Sequence, residues 1–113
     1  MDIETLNYFI TTCNEKSISK AAQSLYLSQQ GLSRSIQALE AELDVPLFYR
    51  TKSGVVPTKF GEALYDQAKT VVNDYKNMIQ TIYRLKGEKK GEIRIGLANS
   101  VVSSLEIGKP FAE

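Results

Sequence analysis

Residues 17–40, SISKAAQSLYLSQQGLSRSIQALE, decide the fold of this 113-residue chain. Apolar residues recur at steps of three and four in both halves of the stretch, which is the spacing of amphipathic helices. A turn at residues 26–28 separates the halves, and Ser28 is placed to cap the second helix. The small pair Ala21-Ala22 lets the two helices approach closely at a steep angle. The stretch therefore predicts a helix-turn-helix motif over residues 18–37.

Further elements are predicted on both sides of this motif. Apolar spacing over the first 13 residues predicts one helix before it. The last helix of the motif is expected to end near Asp44, because Pro46 disfavours helical geometry in the residue before it. Two short β-prone runs, at residues 47–50 and 55–57, flank a polar turn with a glycine and predict a hairpin. The predicted fold class is mainly α: a winged helix-turn-helix, with three helices and a small β-hairpin wing, followed by a long dimerisation helix.

The long helix is predicted from Thr58 to Lys86 by an apolar seam close to a heptad repeat. The repeat continues for more than three heptads, which is typical of a helix that pairs with another helix. Because a domain of three short helices cannot cover the whole seam, we expect it to pack against a second chain. The candidate dimerisation residues are Phe60, Leu64, Val71, Tyr75, Met78, Ile82 and Leu85. Ala68 continues the repeat between Leu64 and Val71.

The last part of the sequence is expected to begin another domain. Residues 87–91 are polar and contain two glycines, which predicts a linker, and alternating apolar residues at 93–97 predict a strand. Too few residues follow to enclose a core, so we expect a truncated domain. Its residues 88–113 are expected to be mobile, the alternative being a strand that is ordered by a neighbouring chain. The predicted boundaries are 1–58 for the winged domain, 59–86 for the long helix, and 87–113 for the linker and truncated domain.

Composition restricts the function. The chain has no histidine, which removes the commonest general base and His-containing zinc sites, and its single cysteine excludes an internal disulfide. We therefore expect no catalytic residue, no metal ligand and no enzymatic activity. The N-terminus is acidic and lacks an apolar signal segment, and no apolar run is long enough to span a membrane. These features predict a cytoplasmic protein with no membrane partner.

Four side chains with reactive or polar groups are expected to have packing roles. Cys13 lies on the apolar face of the first helix, where a cysteine usually behaves as a small buried hydrophobe. Tyr8, Tyr26 and Tyr49 are expected to pack in the core or at its rim.

The charge is polarised, although 14 Lys and Arg against 13 Asp and Glu leave a net charge of only +1. Residues 18–38 contain the cations Lys20 and Arg34 and no acid. Glutamine, arginine and serine are side chains that bond base edges in the major groove. The outward face of the third helix carries these types at Gln29, Gln30, Ser33, Arg34 and Gln37.

With Arg50 and Lys52 on the predicted wing, this face predicts DNA binding. Two structural alternatives exist. A polar stripe can be a solvated helix face, and a trihelical domain can be a protein-interaction and dimerisation module that does not bind DNA. A face without a DNA partner would tolerate Asp or Glu, and this one has neither.

These residues resemble the winged helix-turn-helix of the LysR-type transcriptional regulators. The resemblance lies in the stretch quoted above, in Val45–Thr51 (VPLFYRT) and in Thr58–Leu64 (TKFGEAL), and it extends from residue 1 to about residue 97. It implies an N-terminal winged domain with a linker helix and a C-terminal effector-binding domain, truncated here. It also implies a sequence-specific regulator that binds promoter inverted repeats in double-stranded DNA as a homodimer or a tetramer, with contact to RNA polymerase left open.

Position by position, the resemblance implies a DNA-binding set. The residues of the third helix would face the major groove, with Gln37 towards the phosphate backbone. Arg50 would contact a phosphate, and Lys52 or Ser53 would approach the minor groove. The complete candidate set is Lys20, Ser28, Gln29, Gln30, Ser33, Arg34, Gln37, Arg50, Lys52 and Ser53.

Three positions depart from the usual residues of the family. Gln30 replaces Pro or Ser, and Ser53 replaces a frequent arginine of the wing. Gly31 replaces alanine, at a cost of about 1 kcal/mol in helix propensity.

The resemblance also places the start of an effector pocket at Asn99 and Ser100, and implies a small-molecule co-inducer for the full-length protein. No cofactor is expected for this fragment.

Overall fold

The computed structural model describes residues 1–90 of the chain, with side chains through Gly87. The chain divides into two compact units, Met1–Thr70 and Val71–Glu113. The elements, in chain order, are α1 (Ile3–Glu15), α2 (Ile18–Leu25), α3 (Gln29–Leu43), β1 (Phe48–Thr51), β2 (Gly54–Pro57) and α4 (Lys59–Lys90). This arrangement confirms the predicted mainly α fold, a winged helix-turn-helix followed by a long helix.

Side-chain oxygens cap the first three helices. Each cap accepts a hydrogen bond from a first-turn N–H group, which has no partner within its helix. The caps are Asp2 with the Thr5 N–H at 2.8 Å, Ser17 with the Lys20 N–H at 3.1 Å, and Ser28 with the Gly31 N–H at 2.9 Å. Such a cap typically contributes about 1 kcal/mol, so Ser17 and Ser28 locate the starts of the two helices of the helix-turn-helix motif.

The same three helices end on residues with left-handed backbone, Lys16, Tyr26 and Asp44, each with φ of 58°. This conformation reverses the chain within one or two residues, and for a residue other than glycine it costs about 1–2 kcal/mol. The short turns bring α2 and α3 together, and Ala21 and Ala22 of α2 are buried in the core that the helices share.

The core of the first unit joins the helices to the wing. Phe9 of α1 packs against Phe48 of β1, with 5.3 Å between the ring centroids. The remaining buried members of this core are Ala21, Ala22, Leu32, Ile36, Leu39, Leu47 and Val55. One face of α3 is therefore held against the core, which leaves its opposite face for other contacts.

Strands β1 and β2 form the predicted antiparallel hairpin, with Phe48 opposite Pro57 and Thr51 opposite Gly54. The Val55 N–H donates to the Lys16 carbonyl at 3.1 Å, which fastens the wing to the α1–α2 turn. Gly54 makes this approach possible: its φ is 143°, and a Cβ atom there would lie 2.2 Å from the Lys16 carbonyl oxygen.

Glu40 of α3 holds the entrance of the wing. Its Oε2 accepts hydrogen bonds from the Leu47 N–H at 2.7 Å and from the Phe48 N–H at 3.2 Å. At the exit of the wing, the buried Thr58 hydroxyl donates to the Pro46 carbonyl at 2.7 Å. The same hydroxyl oxygen accepts from the Phe60 and Gly61 N–H groups and so caps α4.

The predicted end of the long helix was wrong. Residues 87–90 were expected to form a linker, but α4 continues through them to Lys90. A single glycine costs a helix only about 1 kcal/mol, and the glutamate and lysines after Gly87 are good helix formers. The predicted strand at residues 93–97 and the expected mobility beyond α4 lie outside the described residues.

The packing prediction was wrong for two tyrosines. Tyr26 is 95% exposed and Tyr49 is 61% exposed, whereas Tyr8 packs against the core as expected. Tyr26 occupies the left-handed position of the α2–α3 turn. Tyr49 follows Phe48 on β1, and because neighbouring strand residues point to opposite faces, a buried Phe48 directs Tyr49 outward.

Candidate nucleic-acid interface

The outward face of α3 is open to solvent. Its side chains at Gln29, Gln30, Arg34 and Gln37 are exposed, and Ser33 is half-buried at the edge of the same face. The opposite face holds Leu32, Ile36 and Leu39 in the core. This division follows from the apolar spacing, since residues three and four apart share one side of a helix. The five candidate positions on α3 therefore form one polar surface.

Ser28 has a structural role at this surface. Its hydroxyl oxygen accepts from the Gly31 N–H and fixes the first turn of α3, so the start of the helix is defined at Gln29. Because Ser28 accepts in this bond, its O–H proton is not used there and stays available for the predicted DNA contact.

Arg50 approaches α3 from the wing. Because Arg50 lies opposite Val55 in the hairpin, the two side chains share the face that turns towards the core. Arg50 is longer than the neighbouring core residues, and its Nη2 donates to the Ser33 hydroxyl at 3.3 Å. The structure thus brings together a predicted phosphate-contacting residue and a predicted base-contacting residue.

Gln29 contacts α2. Its Nε2 donates to the Ser19 hydroxyl at 3.3 Å, which joins the first residue of α3 to the first turn of α2. Ser17 caps α2, so the Ser19 hydroxyl is not needed at the start of that helix. Spacing within one helix cannot reveal this pair, because the contact lies between two helices.

The remaining candidates lie on α2 and at the tip of the wing. Lys20 is exposed on α2, and Lys52 and Ser53 are exposed in the turn of the hairpin. The Thr51 hydroxyl donates to the Gly54 carbonyl at 3.0 Å across this turn. The tip therefore presents one ammonium and one hydroxyl on a closed two-residue turn.

The cations of this surface have no carboxylate partner among the described residues. Within the side chains that the structure describes, the ion pair found joins the Met1 ammonium to Glu42 at 3.0 Å, and none involves Lys20, Arg34, Arg50 or Lys52. Cations without a carboxylate partner can bind the phosphates of a DNA backbone. The uncharged hydrogen-bonding side chains beside them can contact the base edges in the groove.

Cys13 is half-buried against the core. Burial raises the pKa of its thiol from 9.0 to about 12, because the apolar surroundings disfavour the thiolate. A thiol with this pKa is protonated at neutral pH and suits the expected packing role.

The described part of the chain contains no group of three or more His, Cys, Asp or Glu residues that could hold a metal ion. Within the same residues, no helix is long and apolar enough to cross a membrane. The candidate effector residues Asn99 and Ser100 lie outside the described residues.

Known proteins are similar to this chain over most of its length. The chain is 33% identical over 104 residues to the nitrogen assimilation regulatory protein nac of Klebsiella aerogenes, which covers 92% of this chain and 34% of that protein. It is 34% identical over 105 residues to the HTH-type transcriptional regulator BenM of Acinetobacter baylyi, and this alignment covers 93% of this chain and 34% of BenM. The chain thus spans about a third of the length of these curated relatives.

Solved structures share the fold. The BenM DBD in its complex with catB site 1 DNA has a TM-score of 0.74 and 34% identity, covering 76% of this chain and 97% of that chain. The CbnR DBD in a DNA complex has a TM-score of 0.67 and 32% identity. The match covers 69% of this chain and 90% of that chain. The family model described as bacterial regulatory helix-turn-helix protein, lysR family, matches residues 3–62. Because that match spans more than half of the sequence, the chain belongs to the lysR family of bacterial regulatory helix-turn-helix proteins.

Proposed function

We propose that this chain binds double-stranded DNA sequence-specifically, as part of a LysR-type transcriptional regulator. The observation that carries the proposal is the exposed α3 face, which contains Arg34 and no acid and is flanked by Lys20 and Arg50. None of these three cations forms an ion pair among the residues that the structure describes. In a helix-turn-helix, the second helix lies in the major groove and the first crosses the backbone. These roles fall to α3 and α2.

The proposal assigns two kinds of contact. Gln29, Gln30, Ser33 and Arg34 contact base edges, where glutamine suits adenine and arginine suits guanine. The backbone-contacting residues are Lys20, Ser28, Gln37 and Arg50, and the minor-groove residues are Lys52 and Ser53. The DNA complexes of the BenM and CbnR domains support this assignment, because those domains share the fold of this chain.

We further propose that the chain acts as a homodimer or a tetramer on inverted repeats. Five members of the α4 seam, Phe60, Val71, Met78, Ile82 and Leu85, are 41–53% exposed in the single chain. Leu64 and Tyr75 are half-buried. Exposed apolar side chains at heptad spacing favour pairing with an identical helix, since pairing removes their surface from water.

The proposal for the full-length protein is broader. It is a cytoplasmic, non-catalytic regulator that acts on transcription by binding promoter DNA. Its further domain binds a small-molecule co-inducer, and RNA polymerase is a further partner. Its support is the family of this chain and the names of its relatives, which are transcriptional regulators.

Selection of bound sites from random duplex DNA tests the proposal. We expect enrichment of one interrupted inverted repeat. The Gln30→Ala variant should lose preference at one base pair of each half-site, by about 1–3 kcal/mol, and keep the others. Gln23→Ala, on the exposed side of α2, is the matched control and should select the wild-type site.

Two results would contradict the proposal. A wild-type chain that enriches no sequence would favour the protein-interaction module. Uniform weakening by Gln30→Ala across all sequences would show that this face does not contact bases.

A further inference from the structure

We propose that Ser19 is a positioning residue that sets the orientation in which the Gln29 amide contacts a base; this inference rests on the DNA binding proposed above. The observation is the hydrogen bond from Gln29 Nε2 to Ser19 Oγ, 3.3 Å long, between the first residue of α3 and the first turn of α2. Both side chains are exposed on the proposed DNA-binding side.

The bond determines what the amide can offer to DNA. A glutamine amide has one carbonyl acceptor and two N–H donors. When the N–H trans to Oε1 bonds Ser19, the cis N–H and Oε1 remain side by side at the end of the side chain. This neighbouring acceptor and donor match the N6 amino group and N7 of adenine in the major groove. Gln29 is therefore held ready to bond adenine with two hydrogen bonds.

Among the described residues, Ser19 is the group found to bond the Gln29 amide, so without it none of them would distinguish the two ends of the amide. It could rotate and exchange its oxygen and nitrogen, and glutamine is among the side chains with the most rotamer freedom to lose. Fixing the side chain before binding lowers the entropy lost in the complex. Ser19 therefore acts on base preference through Gln29 and not through a base contact of its own.

The Ser19 hydroxyl also has a proton left to donate, since it accepts from Gln29. It lies beside Lys20 in the helix that crosses the backbone in this class of domain. A phosphate oxygen is the acceptor that this position favours. The pair would then connect a backbone contact on α2 to a base contact on α3.

The hydroxyl is not required for the fold. Ser17 caps α2, and alanine has a higher helix propensity than serine at an exposed helical position. Ser19→Ala should therefore fold and melt like the wild-type chain, which separates a change in base preference from a loss of stability.

The test is a parallel selection from random duplex DNA with the 113-residue wild-type chain and the variants Ser19→Ala, Ser19→Thr and Gln29→Ala. The Gln29→Ala profile identifies the base pair at which Gln29 acts, where the wild-type chain should prefer adenine by roughly 5- to 150-fold. Ser19→Ala should reduce this preference by at least about threefold, whereas Ser19→Thr should keep it because it retains the hydroxyl.

Ser24→Ala is the matched control. Ser24 is an exposed serine of the same helix whose hydroxyl donates to Glu15 at 3.3 Å, so its loss should leave the profile unchanged. A Ser19→Ala profile identical to wild type, beside an altered Gln29→Ala profile, would overturn the inference. An unaltered Gln29→Ala profile would overturn it as well. A wild-type chain that selects no sequence would overturn the proposed DNA binding, and this inference with it.

Discussion

Arg50 of the wing donates a hydrogen bond from Nη2 to the hydroxyl of Ser33 on α3, over 3.3 Å. Arginine has five donors and no acceptor, so this bond uses an acceptor lone pair of Ser33 and leaves its O–H proton available. Serine can bond donors or acceptors on DNA, and Arg50 biases it towards acceptors such as purine N7. The wing is thereby joined to the face of α3 that is proposed to contact bases.

Lys52→Ala should weaken binding to all DNA sequences by a similar factor. Lys52 is exposed at the tip of the wing and forms no ion pair among the described residues, so in the proposed minor-groove position its ammonium would lie close to the phosphates on either side of the groove. The slope of log affinity against log salt should fall in magnitude by about 1. Titrations at several salt concentrations measure this slope, with Lys69→Ala on α4 as the charge-matched control. A changed base preference with an unchanged slope would contradict the assignment.

Replacing Val71 and Met78 together by Asp should convert a dimer into a monomer. Both side chains are about half exposed in the single chain, so the charges should disturb pairing and leave the α4 helix intact. Light scattering measures the mass of each variant. The control replaces the exposed Asn73 and Asn77 by Asp, which adds the same charge away from the seam and should preserve the dimer. Equal masses for the two double variants would argue against pairing through the seam.

Glu40→Ala should destabilise the winged domain by about 1–3 kcal/mol, because the Leu47 and Phe48 N–H groups would lose their common acceptor. Urea denaturation followed by circular dichroism measures the free energy of unfolding. Glu42→Ala provides the comparison: this exposed carboxylate pairs with the Met1 ammonium, and its loss should cost at most about 1 kcal/mol. The prediction fails if the two variants lose the same stability.

Cys13 should react slowly with iodoacetamide at pH 8. Its pKa of about 12 in the folded chain, against 9.0 for an ordinary thiol, reduces the thiolate fraction about 1000-fold. We expect alkylation at least about 100-fold slower in the folded chain than in urea. Because the folded pKa is raised, Cys13 should also lower the stability of the fold as pH rises above about 9, relative to Cys13→Ala. Equal alkylation rates in the two states would refute the prediction.

The local elements of this fold could be predicted from the sequence because they depend on spacing and caps. The step of three and four from Leu32 to Leu39 predicted the buried face of α3, and Pro46 predicted its end. Strand alternation contained a further signal that the prediction overlooked: an inward Phe48 requires an outward Tyr49. The helical residues beyond Lys86 show how weakly a single glycine terminates a helix when good helix formers follow.

The contacts that organise the candidate site could not be predicted in the same way. Ser19 with Gln29, Arg50 with Ser33, and Glu40 with the start of β1 each join two different elements. Their formation depends on how the elements cross in three dimensions, and the spacing within either element contains no information about that. Side-chain type predicted which residues could contact DNA, whereas tertiary packing decides how each of them is oriented.

Gly54 restricts how this wing can change through mutation. Any side chain at this position would collide with the Lys16 carbonyl and would also require a backbone conformation that only glycine adopts readily. The hairpin cannot shift its register without moving that glycine out of the close contact. Within the turn of the hairpin, Lys52 and Ser53 are therefore the positions at which a substitution can alter the proposed DNA contacts without disturbing this approach. Variation of these two residues can diversify the proposed minor-groove contacts among descendants of this chain while the rest of the hairpin, including Arg50, stays the same.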